Sequence, residues 1–309
     1  MTDWNPSRWA TAEGVERARA LLSQVSLLLP VYDEPTRQTA RDLRLLCALG
    51  AREIRLTSIS NINCARNALT AQWYDGDDRP WSLWVDADVY SPEGVGAWVE
   101  FIDHALRRDA RRVEPGSVPP IFAGAYPCKR IGGSTLACVF LDPDSVVLGV
   151  GGGYHRADWI GGGAVLMHRQ TVDRFAAELG IPGPGRVRYL VESRHYFGPQ
   201  LWQNGLRHTD DSDPIFGGPV YEEHGEDVGL CAAAHRAAVG LLCDTRLRLD
   251  HRGEHCFSWE DALGPRRERA PSLRLDDSRQ QVEAGRALEP SRIVLPSPAE
   301  RAALATARR

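Results

Sequence analysis

Two aspartates close the run Trp81-Ser-Leu-Trp-Val-Asp86-Ala-Asp88-Val89. If the run is a strand, alternation sets both carboxylates on one side. Small Ala87 between them leaves room for a ligand to approach the backbone. Paired carboxylates at a strand terminus suit Mg²⁺ or Mn²⁺, hard ions that prefer oxygen ligands and phosphate partners. The motif is short, and a polar strand end with solvated acids would read the same way.

A second pair, Glu226-Asp227, follows Gly225 and opens a small-residue stretch that reads as a helix start. Acids are favoured there by the macrodipole and the free N–H groups. Helix-start stabilisation accounts for them as well as function does. The functional alternative is a carboxylate that stays ionised at neutral pH and acts as general base. The stretch 241–250 reads as a strand whose alternation groups Leu247, Leu249 and His251, so that His251 becomes a metal-ligand candidate beside the acids. Gly161-Gly162-Gly163 runs into an apolar strand, which suits either close backbone approach to a ligand or a plain turn. His251, His255 and Cys256 offer a weaker zinc reading.

Several chemistries are excluded. No Gly-Lys-Ser/Thr follows the glycines, and no Gly-x-Gly-x-x-Gly joins the first strand to the first helix, so neither a P-loop nor a dinucleotide fingerprint is present. Without a Gly-x-Ser-x-Gly elbow, serine hydrolysis lacks support. Net charge is −4, which gives no general attraction to nucleic acid. Basic charge is almost wholly Arg, with Lys129 the single lysine, a skew that reads as GC-rich coding. Seven scattered cysteines form no C-x-x-C pair and imply a reducing, cytoplasmic setting. No secretory leader and no membrane-spanning run is expected.

The elements that must position these residues alternate strand and helix. Val25–Val31 reads as a buried strand closed by Tyr32-Asp33-Glu34-Pro35, and 36–49 as a helix stopped by Gly50. A strand over 53–59, a helix over 64–74, the strand Trp81–Val85 and a helix starting at Ser91-Pro92 complete the first half. This order predicts an α/β fold with a mostly parallel sheet flanked by helices. Ligands then sit beyond the carboxyl ends of the strands. Strands are expected over 121–125, 137–141 and 146–150, the last two as a candidate hairpin. The Gly-, Pro- and Asp-rich 181–220 reads as a loop or mobile lid, and the chain after Gly264 as a tail or peripheral helix.

Taken in order, Pro30-Val-Tyr32-Asp33-Glu34, Asn63-Cys-Ala-Arg66-Asn67, Val85-Asp86-Ala87-Asp88, Trp159-Ile-Gly161-Gly162-Gly163, Gly225-Glu226-Asp227 and Asp250-His251-Arg252-Gly253 resemble the GT-A-fold glycosyltransferases, family two in particular. The resemblance spans about 25–259. It implies one GT-A-like catalytic domain over 1–264, with a nucleotide-binding half near 21–125 and a smaller mixed acceptor-side half near 126–264, followed by the tail 265–309. It further implies a metal-dependent hexosyltransferase-type enzyme that moves sugar from a nucleotide-sugar, a UDP-sugar by preference, to a hydroxyl-bearing acceptor. By the same resemblance Pro30, Tyr32, Asp33, Arg66, Asp86, Ala87, Asp88, Gly162 and Gly163 bind the nucleotide-sugar. Asp88 and His251, with Asp86, hold Mn²⁺ or Mg²⁺. Asp227, with Glu226 next, is the base of an inverting reaction. The alternatives are a nucleotidyltransferase that makes nucleotide-sugars and a non-catalytic nucleotide-sugar-binding protein. The acidic, proline-bearing end of the first strand argues against the former.

Overall fold

The computed structural model describes residues 4–32, 34–57, 61–110, 117–129, 136–141, 146–178, 201–212, 219–253, 256–259, 272–275 and 293–294. The short 3-10 helix Pro6–Ala10 leads into α1 (Ala12–Leu22), β1 (Val25–Val31), α2 (Arg37–Ala48), β2 (Arg52–Thr57), α3 (Ile62–Gly76), β3 (Trp81–Val85), β4 (Val89–Tyr90) and α4 (Val95–Ala110). Then follow β5 (Ile121–Gly124), β6 (Cys138–Phe140), β7 (Val146–Gly149), β8 (Tyr154–Ile160), β9 (Ala164–His168) and α5 (Arg169–Glu178). The last elements are β10 (Gly205–Ser212), β11 (Pro219–His224), α6 (Glu226–Arg236), β12 (Leu241–Asp244), β13 (Asp250–Arg252), β14 (Cys256–Phe257), β15 (Ser272–Leu275) and β16 (Ile293–Val294).

Eight strands form the central sheet in the order β2-β1-β3-β9-β5-β12-β8-β6. β1 pairs in parallel with β2 and β3, and β5 with β12. β9 and β8 run antiparallel to their neighbours. Six strands therefore share one direction and two oppose it: a mixed α/β sheet, mostly parallel in sense and compatible with a Rossmann-like fold. Alternation along β1 divides the core. Val25, Leu27, Leu29 and Val31 face α1, α2 and α4 through Leu22, Leu43, Leu46, Trp98 and Phe101. Leu28 faces the opposite layer, with Leu69 and Trp73 of α3, Phe175 of α5 and Leu230 of α6. All seven β1 residues are buried, as a strand covered on both faces requires, with Ser26 satisfied by donating its hydroxyl to Asp77. Pro30, which has no amide hydrogen, stands past the last β1–β3 pair, Leu28↔Trp84.

Caps set the helix starts. The Thr36 side chain accepts from the Thr39 amide and that of Asn61 from Cys64. α4 begins at Val95, four residues later than expected, because Ser91 to Gly94 close as a turn, with the Gly94 amide on the Ser91 carbonyl. The expected hairpin over 137–150 does not form: β6 pairs with β8, and β7 with β15. The expected strand over 241–250 ends at Asp244, where Arg246 folds back onto the Asp244 carboxylate. Leu247, Leu249 and His251 therefore do not share one strand face. Within 181–220, Leu201 and Trp202 are buried, and β10 pairs antiparallel with β11, so the described part is not a structureless lid; 181–200 and 213–218 lie outside the described residues. The described pieces beyond 264 are strands, β15 on β7 and β16 on β10, instead of a tail or helix. Among the described residues no helix is long and apolar enough to cross a membrane.

Candidate functional site

The carboxyl ends of β1, β3, β5 and β12 reach one edge of the sheet, with the amino end of β9 between β3 and β5. β3 stops at Val85, and Asp86 to Val89 turn, the Val89 amide donating to the Asp86 carbonyl. The two acids consequently leave strand geometry. The alternation that was to set them on one side does not apply, and they enter different surroundings.

Asp88 meets His251. β4 and β13 pair antiparallel through Val89↔His251, and the Arg252 amide donates to the Asp88 carbonyl at 2.8 Å, so backbone hydrogen bonds fix the two side chains near each other. His251 Nε2 lies 3.4 Å from Asp88 Oδ1. Its Nδ1 is 2.9 Å from the Pro127 carbonyl, an acceptor only, so Nδ1 carries a proton and Nε2 is the nitrogen turned to the carboxylate. The Lys129 ammonium donates to the other oxygen, Asp88 Oδ2. Burial works to raise the Asp88 carboxyl, but hydrogen bonds from His251 and Lys129 outweigh it and hold the group below the usual aspartate range.

Asp86 turns the other way, accepting from Arg66 at 2.8 Å. The Arg66 guanidinium also lies 3.2 Å from Glu226 and donates to the Gly162 carbonyl at 2.9 Å. It is packed between indoles, 4.8 Å from the Trp202 ring centre and 5.9 Å from that of Trp84. Burial alone would lower the Arg66 pKa, yet the charges of Asp86 and Glu226 raise it. Asp227, at the start of α6 behind the cap residue Gly225, accepts from the Val228 amide at 2.8 Å. Its surface is partly open, but protein surrounds the carboxyl. Burial, then the neighbouring Glu226 charge, push it up to about 7. The expectation of an acid fully ionised at neutral pH is thereby corrected: desolvation disfavours the charged form. Tyr126 joins the two groups, its ring 5.2 Å from His251 and its hydroxyl accepting from the Gly163 amide at 2.9 Å. Burial, then the charges of Asp86 and Asp227, push the Tyr126 phenol well above its usual value.

The glycines have a local cause. A Cβ at Gly162 would stand 2.6 Å from the Arg66 guanidinium, and one at Gly163 2.8 Å from the Tyr126 ring. Close approach is what they permit, and the approaching groups here are Arg66 and Tyr126 of the chain itself. Of the other expected binding residues, Pro30 is buried in β1, Tyr32 is 64% exposed just past it, and the Ala87 carbonyl accepts from the Thr36 amide. Asp33 lies outside the described residues. The expected metal set is thus brought together as Asp88 with His251, while Asp86 is engaged by Arg66. Among the described residues no group of three or more His, Cys, Asp or Glu converges on a metal position. What this place offers a cation is one carboxylate, the oxygen donor type that Mg²⁺ and Mn²⁺ prefer, beside one imidazole nitrogen.

Sequence reasoning missed Lys129, Tyr126 and Trp202. Lys129 carried a signal, as the sole lysine in the chain. Trp202 lay inside the supposed lid, yet Asn67 both donates to its carbonyl and accepts from its amide, at 2.7 and 3.1 Å.

No family model and no curated protein matches the chain. Among solved structures, the crystal structure of A197 from STIV is similar at a TM-score of 0.42, with 12% identity over 75% of this chain and 93% of that one.

Proposed function

We propose that the chain is a metal-dependent glycosyltransferase of the GT-A type, transferring a sugar from a nucleotide-sugar, in the first instance a UDP-sugar, to a hydroxyl acceptor with inversion. One observation carries the reading: Asp88, a carboxylate facing an imidazole, and Asp227, a carboxyl pushed up to about 7, lie on either side of Tyr126, whose ring is 5.2 Å from His251 and whose phenol feels the Asp227 charge. The first arrangement suits a cation bound to diphosphate, and the second suits proton removal near neutral pH.

Asp88 and His251 would hold the divalent cation, which when bound supplies charge neutralisation for a departing diphosphate. Asp227, once ionised, takes the proton of the acceptor hydroxyl as that oxygen attacks the anomeric carbon and the sugar–phosphate bond breaks. Arg66 holds Asp86 and Glu226 on its guanidinium, and its positive charge limits the rise of the Asp227 pKa. The glycines let Arg66 and Tyr126 lie against the β9 entrance, which keeps this arrangement closely packed.

Thermal-shift and hydrolysis screening of nucleotide-sugars, with Mn²⁺ and with EDTA, tests the reading. The expected result is a UDP-sugar that raises Tm and releases nucleoside diphosphate only with metal. If no nucleotide-sugar does either, the reading fails. Pyrophosphate release from a nucleoside triphosphate with a sugar phosphate would redirect it to nucleotidyl transfer.

A further inference from the structure

We propose that Lys129 is the anion-binding residue for the diphosphate of the donor, and that it rests on Asp88 only while no divalent cation occupies that carboxylate. The inference builds on the proposed function, because it takes the Asp88–His251 pair as the cation site.

The argument begins with composition. Cationic side chains in this chain are arginines except at one position, and that position lies at the candidate site. Arg and Lys are not equivalent here. A guanidinium forms a planar fork that stays fixed once paired, as Arg66 does between Asp86 and Glu226. An ammonium is a compact point charge on a flexible stem with three donors, able to exchange one oxygen partner for another. Lys129 is also the more accessible, with 36% of its side chain exposed against 2% for Arg66.

Its partner then matters. Asp88 has two oxygens: Oδ1 faces His251 Nε2 at 3.4 Å, and Oδ2 accepts from Lys129. At 3.4 Å the His251 contact is long, whereas Lys129 donates directly, so Lys129 is the closer partner of this carboxylate. A divalent ion between Asp88 and His251 would neutralise the carboxylate and repel the ammonium from it. Lys129 would then lie beside a metal with its charge uncompensated. An anion on the same metal, which is what a diphosphate supplies, would compensate it. The backbone permits this exchange. Lys129 lies past β5, just beyond Tyr126 and Pro127, which are tied to the strand side by the Ala137 amide on the Tyr126 carbonyl and by the Pro127↔Leu136 bridge. The backbone just before Lys129 is anchored there, and the half-exposed ammonium is held on Asp88.

Because there is one lysine, its chemistry can be followed without interference. The full-length protein is acetylated with an N-hydroxysuccinimide ester at fixed pH, and Lys129 modification is read by peptide mass spectrometry. Samples contain no addition, Mg²⁺, or Mg²⁺ with inorganic pyrophosphate. Mg²⁺ alone should change the Lys129 acetylation rate at least twofold, and pyrophosphate added with Mg²⁺ should protect it at least fivefold. In Asp88→Asn the Mg²⁺ response should disappear. By calorimetry, Lys129→Met should weaken Mg²⁺-pyrophosphate binding at least tenfold, Lys129→Arg should recover part of it, and Mg²⁺ affinity without pyrophosphate should be equal or higher in Lys129→Met. Unprotected Lys129 in saturating Mg²⁺-pyrophosphate, or native pyrophosphate affinity in Lys129→Met, overturns the assignment. These outcomes are separable from failure of the glycosyltransferase reading. In that case pyrophosphate still depends on Lys129 while no nucleotide-sugar is turned over. A sugar turned over with pyrophosphate affinity indifferent to Lys129 breaks this proposal alone.

Discussion

Asp86 and Asp88 stand two residues apart on one turn and inhabit opposite electrostatic settings. Asp88 faces two groups that can leave it, a lysine on a flexible stem and an imidazole at 3.4 Å, and its carboxyl is held below the ordinary range. Asp86 faces a buried guanidinium that also serves Glu226 and is enclosed by Trp84 and Trp202. In that second group Asp227 is raised to about 7. Burial acts against ionisation in both places, so the contrast comes from how many positive partners each carboxylate has. Asp88 has a cation for itself. Asp227 must share the influence of one Arg66 with two other carboxylates. The short turn Asp86–Asp88 thus sends one carboxylate toward Lys129 and His251 and the other toward the Arg66 group that also holds Glu226.

The most severe way to break the comparison is to remove the proton acceptor. Asp227→Asn retains the shape and the acceptor for the Val228 amide. Turnover should fall by about 10² to 10⁴, or about 3–5 kcal/mol, while nucleotide affinity is kept. Steady-state kinetics beside calorimetry check this. Normal turnover in Asp227→Asn, with loss in Glu226→Gln, would move the role one residue back.

Arg66 supplies the next largest effect. Arg66→Gln leaves Asp86 and Glu226 without their shared cation in a closely packed place, which should cost about 3–5 kcal/mol in urea unfolding. It also removes the positive charge that restrains Asp227, so the rising limb of the pH–rate profile should move above 7. A midpoint that stays put would show that Arg66 has only a structural part.

A paired substitution sharpens the distinction between the two acids. Asp88→Asn should weaken Mn²⁺ binding at least tenfold and change unfolding free energy by about 1 kcal/mol or less, since its ion pair is partly exposed. Asp86→Asn should do the reverse, costing about 1–3 kcal/mol through the lost bond to Arg66 and leaving Mn²⁺ affinity within about twofold. Equal loss of metal binding in both would restore Asp86 as a ligand.

The first half of the fold was readable because its signals are local. The mostly apolar run of β1, the Thr36 cap and Gly50 at φ +112 each act within a few positions. The sheet order past β5 was not readable. β9 inserts between β3 and β5, and β7 takes β15 from more than a hundred residues away. No local propensity encodes such choices. At the site, residue types were legible and partnerships were not. Alternation failed at Asp86 because the strand stops at Val85. The glycines read as ligand-facing stand against Arg66 and Tyr126, since apolar run and glycine spacing do not tell which group fills the space. Lys129 shows a different shortfall: its rarity was visible, but a composition count carries no position.

The smallest expected effect concerns stability against pH, and its sign follows from Asp227 alone. The carboxyl is raised from 3.8 to about 7 in the folded chain, so the folded state binds its proton more tightly than the unfolded state does. Below about pH 4 both states are protonated and this group imposes no penalty. As pH rises toward 7 the unfolded chain releases the proton first, and the contribution to stability is lost progressively until the folded group has ionised as well. Asp227→Asn does not titrate and serves as the reference. The full shift would correspond to about 4 kcal/mol. The side chain is partly open to solvent, so about 1–2 kcal/mol is expected. Unfolding the two proteins in parallel between pH 4 and 8 should show the variant gaining on the native chain as pH rises from about 4 toward 7, and no further above that. A constant difference across the range would mean that Asp227 is already ionised at pH 5. The contrast with Asp88 would then lie in geometry and not in proton affinity.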